Sequence, residues 1–105
     1  MSKIRAIIKR PDEEYGHVAN ISATLENLQR TVGGYIEVVQ VDEDVVIICN
    51  EEGKLLGLEP NMFFRGDTLV GTIIAAGFDG EGFADVGIPF DYWKAIIDES
   101  NGGAR

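Results

Sequence analysis

Residues 45–50, Val-Val-Ile-Ile-Cys-Asn, carry no strongly polar side chain before Asn50. Successive side chains of a strand point to opposite faces of a sheet. A run like this is apolar on both faces and belongs in the middle of one. It follows Tyr35–Val41, rich in β-branched and aromatic residues, across the polar triplet Asp42-Glu43-Asp44, and the two read as a hairpin. Lys3 to Lys9 reads as another strand, with Ile4, Ala6 and Ile8 on one face and Lys3, Arg5, Ile7 and Lys9 on the other. Pro11 ends it, because proline has no N–H for a ladder. Leu69 to Phe78 reads as a further apolar strand and Lys54-Leu55-Leu56 as a short one. Between the last two, Gly57 through Asp67 reads as a long connection. Asn50-Glu51-Glu52-Gly53 has the composition of a tight turn, with Gly53 supplying a positive φ.

Two segments carry helical periodicity. Ile21, Leu25, Leu28 and Val32 follow at spacings of four, three and four and predict a helix over about 20–33. Asn20 or Ser22 would cap it, and Gly33-Gly34 would stop it. Pro89 suits a first helical turn, and Phe90, Trp93 and Ile97 extend a second helix over about 89–100. The expected fold is α+β: a mainly antiparallel sheet of four to five strands, with both helices on one sheet face. At 105 residues the whole chain, 1–105, makes one domain.

Charge narrows the function. Eighteen acidic and nine basic residues give a net charge of −9, and the 45% hydrophobic share is that of a globular protein. Lys3, Arg5, Lys9 and Arg10 hold four of those nine basic groups; the other five stand against all 18 acids, a balance of −13. Bulk nucleic-acid binding needs a basic face and is not expected. No apolar run is long enough to span a bilayer, and the N-terminus lacks the apolar stretch of a signal peptide. No membrane partner is expected. Cys49 is the only cysteine, so no internal disulfide forms, which fits a reducing, cytoplasmic setting. One cysteine and one histidine do not make a structural zinc site.

Two blocks carry a family likeness. Gly33-Gly34-Tyr35-Ile36-Glu37-Val38-Val39 and Asn50-Glu51-Glu52-Gly53-Lys54-Leu55-Leu56-Gly57-Leu58-Glu59-Pro60-Asn61, with Asp67 and Gly71-Thr72-Ile73, resemble a family of small domains of unknown function. Such domains are scattered among bacteriophages, plasmids and Gram-positive bacteria, and the likeness covers roughly residues 3–78. It implies a mobile-element context and the cytoplasm, that of the host cell for a phage protein. It transfers no catalytic residues.

Candidate site residues follow from chemistry. Lys3, Arg5 and Lys9 share a strand face, with Arg10 at its end and Arg65 in the long connection. They could gather around a phosphate or carboxylate, a task suited to the planar guanidinium fork. The competing reading pairs them with Glu37 or other carboxylates on neighbouring strands. Tyr15-Gly16-His17 could clamp a base or ribose. Asn50 sits in a turn, and Asn61 on the connection that would form a lid or rim. His17 has no evident catalytic partner, so no catalytic residue is assigned. Asp79, Glu81 and Asp85 do not match a calcium loop, and the glycines at 77, 80, 82 and 87 form no dinucleotide fingerprint. No metal and no cofactor is expected.

The favoured expectation is a small non-catalytic binding protein of phage or mobile-element type. It would capture a small anionic, nucleotide-derived ligand such as a host immune signal. The alternative is an acidic interaction or inhibitor module that mimics nucleic acid through Glu13, Glu14, Asp42, Glu43, Asp44, Glu51 and Glu52. A second alternative is a small hydrolase acting on a nucleotide signal. Exposed sheet edges leave room for a homo-oligomer.

Overall fold

The computed structural model describes residues 3–103. Its elements run β1 (Lys3–Lys9), β2 (His17–Ser22), α1 (Leu25–Val32), β3 (Ile36–Asp42), β4 (Val45–Asn50), β5 (Pro60–Phe64), β6 (Asp67–Val70), β7 (Ile73–Phe78), β8 (Phe83–Ala84) and α2 (Phe90–Gly103). The main sheet has the order β2-β1-β7-β4-β3, with β8 also pairing β7, and every pair is antiparallel. β5 and β6 form a separate hairpin. The expected α+β fold is therefore present.

The apolar runs explain the layering. β1, β7 and β4 are the inner strands, and their side chains divide by alternation between two cores. Ile7, Ile47, Cys49, Ile73 and Ala75 face Met62, Phe64 and Leu69 of the hairpin and Trp93 and Ile97 of α2. Ala6, Val46, Ile48, Ile74 and Ala76 face Leu28 and Val32 of α1. The two helices thus cover opposite faces, not the same one. Inner strands that are apolar on both sides leave water only when both sides are covered.

Four local expectations are corrected. The first helix does not begin at residue 20: Asn20, Ile21 and Ser22 belong to β2, where Ile21 stands opposite Ile4. Ile21 owes its burial to a sheet neighbour rather than a helical stripe. The cap is Thr24, whose hydroxyl accepts from the Asn27 N–H at 3.2 Å, and Gly33, at φ 87°, closes the helix. The run Leu69–Phe78 is two strands, broken at Gly71, where φ is 75°. β6 turns away with β5, and β7 enters the main sheet. Lys54-Leu55-Leu56 is turn, not strand. Gly53 is not among the positive-φ residues; a Cβ there would stand 2.6 Å from Val70 Cγ2, so close packing is its requirement.

The β5–β6 hairpin closes on Arg65-Gly66, with φ of 49° and 84°. Positive φ at both loop residues matches the twist of antiparallel strands. Farther along the chain, Gly77 of β7 lies under the segment after β8: a Cβ there would sit 2.2 Å from the Asp85 carbonyl oxygen. That segment bonds to β1, Val86 N–H to Arg5 O at 2.8 Å and Arg5 N–H to Asp85 Oδ1 at 2.7 Å. Gly77→Ala should push it off β1 and lower unfolding free energy by about 2–3 kcal/mol, the upper range for overpacking. Urea denaturation checks this; a loss below about 0.5 kcal/mol, the size of an ordinary surface substitution, would show that the contact is soft.

Candidate functional site

The basic face of β1 is spent mainly on structure. Lys9 is 3% exposed. Its ammonium donates to Asn61 Oδ1 at 2.9 Å and to the Asn61 carbonyl at 3.2 Å. Asn61 Nδ2 in turn donates to Lys9 O and Gly71 O, both at 2.8 Å. One carboxamide thereby ties β1, β5 and the Gly71 turn together. Burial lowers the Lys9 pKa, with Glu13 and Asp12 pulling weakly the other way. Arg5 donates from one Nη to Val86 O at 3.1 Å and Ile88 O at 3.2 Å. Lys3 is exposed at the start of β1.

The loop after β1 is held the same way. Arg10 Nε lies 3.7 Å from both Asp12 and Glu13. Glu13 also accepts from the Arg10 N–H and faces His17 Nδ1, each at 2.9 Å. Burial raises the Glu13 pKa, but these bonds outweigh it and hold the carboxyl below its usual value. Tyr15 donates its hydroxyl to Asp98 at 2.6 Å, and its carbonyl accepts from Trp93 Nε1 at 2.8 Å. Lys94 lies over its ring, 5.3 Å from the centroid. Tyr15 therefore anchors α2.

Asn50 and Arg65 lie elsewhere. Asn50 donates to Val32 O at the end of α1 and accepts from the Glu52 N–H, so it closes a helix and a turn at once. Arg65 donates to Gln40 O and Val41 O of β3 and stacks on Phe64 at 4.7 Å. The structure thus brings Lys9 to Asn61 and joins Arg10 to His17 through Glu13. Lys3, Arg5, Asn50 and Arg65 stand apart from those groups.

Two recesses open along β3, and sequence reasoning missed both. One of about 440 Å³ lies between β3, the hairpin and α2, with Asp42, Arg65, Tyr92 and Glu99 in its lining. The other, about 150 Å³, is lined by Glu37, Glu51, Glu52, Asp67, Lys54 and Cys49, among others. Lys54 is paired with Asp67. Burial, then Glu37 and Asp67, push the Cys49 thiol up to about 11, so it is protonated at neutral pH. A third recess beside the end of α1 carries Asp12 and Glu59, and a fourth carries Glu26 paired with Arg30 at 3.2 Å. Glu37 and the Glu51-Glu52 pair were visible as surface acids. Asp67 and Glu99 reach the same strand only through the hairpin and α2, which no local pattern announces.

A family model described as a domain of unknown function (DUF3846) matches residues 4–90. No curated protein and no solved structure matches the chain.

Two titrations check these bonds. Removing the Asn61 side chain takes the closer of two acceptors from a buried ammonium and leaves it the residue-61 carbonyl, so Asn61→Ala should lose about 2–3 kcal/mol in urea denaturation. Lys9→Met, which removes the charge as well, should lose less. A larger loss in Lys9→Met would show that the charge itself stabilises the fold. Between the lowered Lys9 pKa and its ordinary 10.5 the unfolded chain holds the proton more often, so this group makes stability rise with pH there.

Tyr15 acts oppositely. Its bond to Asp98 raises its pKa from 10.0 to about 12. The native state keeps that proton while the unfolded chain loses it, so this contribution falls as pH rises from 10 to about 12. Tyrosinate absorbance should show one late-titrating group, lost in Tyr15→Phe; an unchanged curve would remove the Asp98 bond.

Proposed function

We propose that this chain, which belongs to the DUF3846 family of domains of unknown function, is a non-catalytic interaction module that meets a basic partner through exposed carboxylates. One observation carries the reading. In each of the four recesses carboxylates equal or outnumber cations, and every lining cation is already engaged: Arg65 by two carbonyls, Lys54 by Asp67 and Arg30 by Glu26. A cation entering either β3 recess meets carboxylates that hold no salt bridge to a lining cation, Asp42 and Glu99 in one and Glu37, Glu51 and Glu52 in the other, whereas an anion there must first displace a protein group from Arg65 or Lys54.

The same observation weighs against capture of a small nucleotide-derived anion, because Arg5, Lys9 and Arg10 already hold protein partners. A hydrolase reading has less support, with Cys49 protonated and His17 paired to Glu13. The likeness to domains of phages and plasmids suits an inhibitor that occupies the basic surface of a host protein, in competition with nucleic acid. Glu37, Asp42, Glu51, Glu52 and Glu99 are the residues we assign to that contact.

Two measurements test the reading. Immobilised chain exposed to host lysate should retain a basic protein, released by salt and held at least about tenfold more weakly after Glu37→Gln, Glu51→Gln and Glu52→Gln together. Retention that ignores both salt and these substitutions would overturn the proposal. Thermal melts with a panel of nucleotides and cyclic nucleotides should show no stabilisation. A rise in midpoint that disappears in Arg10→Ala would restore the small-anion reading in its place.

A further inference from the structure

The two outer strands of the sheet differ in how they are guarded. β3 carries Glu37 and Asp42, has an irregular register between Gln40 and Asp42, and has two carbonyls held by Arg65. Acids, bulges and covered carbonyls are devices that keep an edge from pairing with another chain. β2, His-Val-Ala-Asn-Ile-Ser, has none of these. It bears no acid, lysine or proline, and it pairs with β1 over six residues without a shift. Val18 is 43% exposed.

Which backbone groups point outward follows from the register. Arg5 directs its N–H and C=O to Asp85 and Val86, on the side of β1 away from β2. Arg5 stands opposite Asn20, and Ile7 opposite Val18. In an antiparallel pair the two residues of a non-bonded couple both turn their polar groups away from each other. Asn20 and Val18 therefore present theirs to the open side of the sheet.

We propose that a second copy of this chain pairs antiparallel with β2 there, across a two-fold axis at Ala19. Val18 of each copy would then bond with Asn20 of the other, giving about four backbone hydrogen bonds. Directly opposite residues share a sheet face only when their numbers differ evenly, and the axis at Ala19 meets that condition. The register admits a copy of the strand, and charge selects the edge. A chain of net charge −9 repels itself wherever its acids face each other, and a β3 contact would set Glu37 and Asp42 of two copies on one seam. β2 is free of acids, and the charges beside it on β1 are Lys3 and Arg5. The paired sheets would run on as one, leaving both β3 recesses open at its outer ends.

The test is light scattering on the full chain after size exclusion, with Asn20→Pro and Val18→Lys. Proline is tolerated on an edge where its missing N–H faced outward, so Asn20→Pro keeps the β1 ladder and loses the seam. Wild type should have twice the mass of one chain, and both variants the mass of one, with circular dichroism unchanged. Wild type that is monomeric up to its solubility limit overturns the proposal, and so does a dimer that persists in both variants. Should Asn20→Pro unfold, Val18→Lys decides alone, since lysine on the exposed side guards an edge without touching the ladder to β1.

Discussion

Inner strands with no polar face set the terms for everything around them. β4 is buried at all six positions and β7 at its first five. A sheet like this, left with one face bare, would expose Val46, Ile48, Ile74 and Ala76 on one side, or Ile47, Ile73 and Ala75 on the other. At roughly 25 cal/mol per Å² of apolar surface, either loss is comparable with the whole net stability of a small domain. α1 is short and covers one side. The other side takes α2 and the β5–β6 hairpin together, because α2 alone does not roof it.

The hairpin has an electrostatic consequence. Laying β5 over the end of β1 buries the ammonium of Lys9 beneath Asn61. A carboxamide both accepts from Lys9 Nζ and donates to Lys9 O, so it satisfies hydrogen bonds without cancelling charge. That is why burial lowers the Lys9 pKa. Arg5 and Arg65 likewise end on carbonyl oxygens. These cations stitch segments together and leave the acids to define the recesses. The net charge thus understates how acidic the lining of the two β3 recesses is.

What the sequence revealed and what it hid follow from the range of the interactions. The β3–β4 hairpin, the stripe of Leu28 and Val32, and the apolar face of α2 are set by neighbours within about four residues, and all three were legible. Ile21 was misassigned because a residue half-buried beside a strand partner 17 positions away can coincide with helical spacing. The hairpin at 60–70 was hidden because Arg65 stands where Asn or Asp usually announces a loop of this type. Opposite placement of the helices was implied by apolar residues on both faces of residues 45–50, but composition does not say which helix covers which face.

Arg65 shows how a locally unfavourable choice is sustained by distant contacts. A non-glycine residue at positive φ costs of order 1 kcal/mol or more. Asparagine at that position would relieve the backbone but could not reach β3. The guanidinium recovers the loss by donating to Gln40 O and Val41 O and by lying on Phe64. Those bonds hold the hairpin tip against the outer strand, and the tip forms one wall of the recess that Asp42 and Glu99 also line. The strain at Arg65, the closure of the core over β4 and the shape of the acidic recess are therefore one arrangement, in which backbone cost is accepted at a turn to fix the wall of that recess.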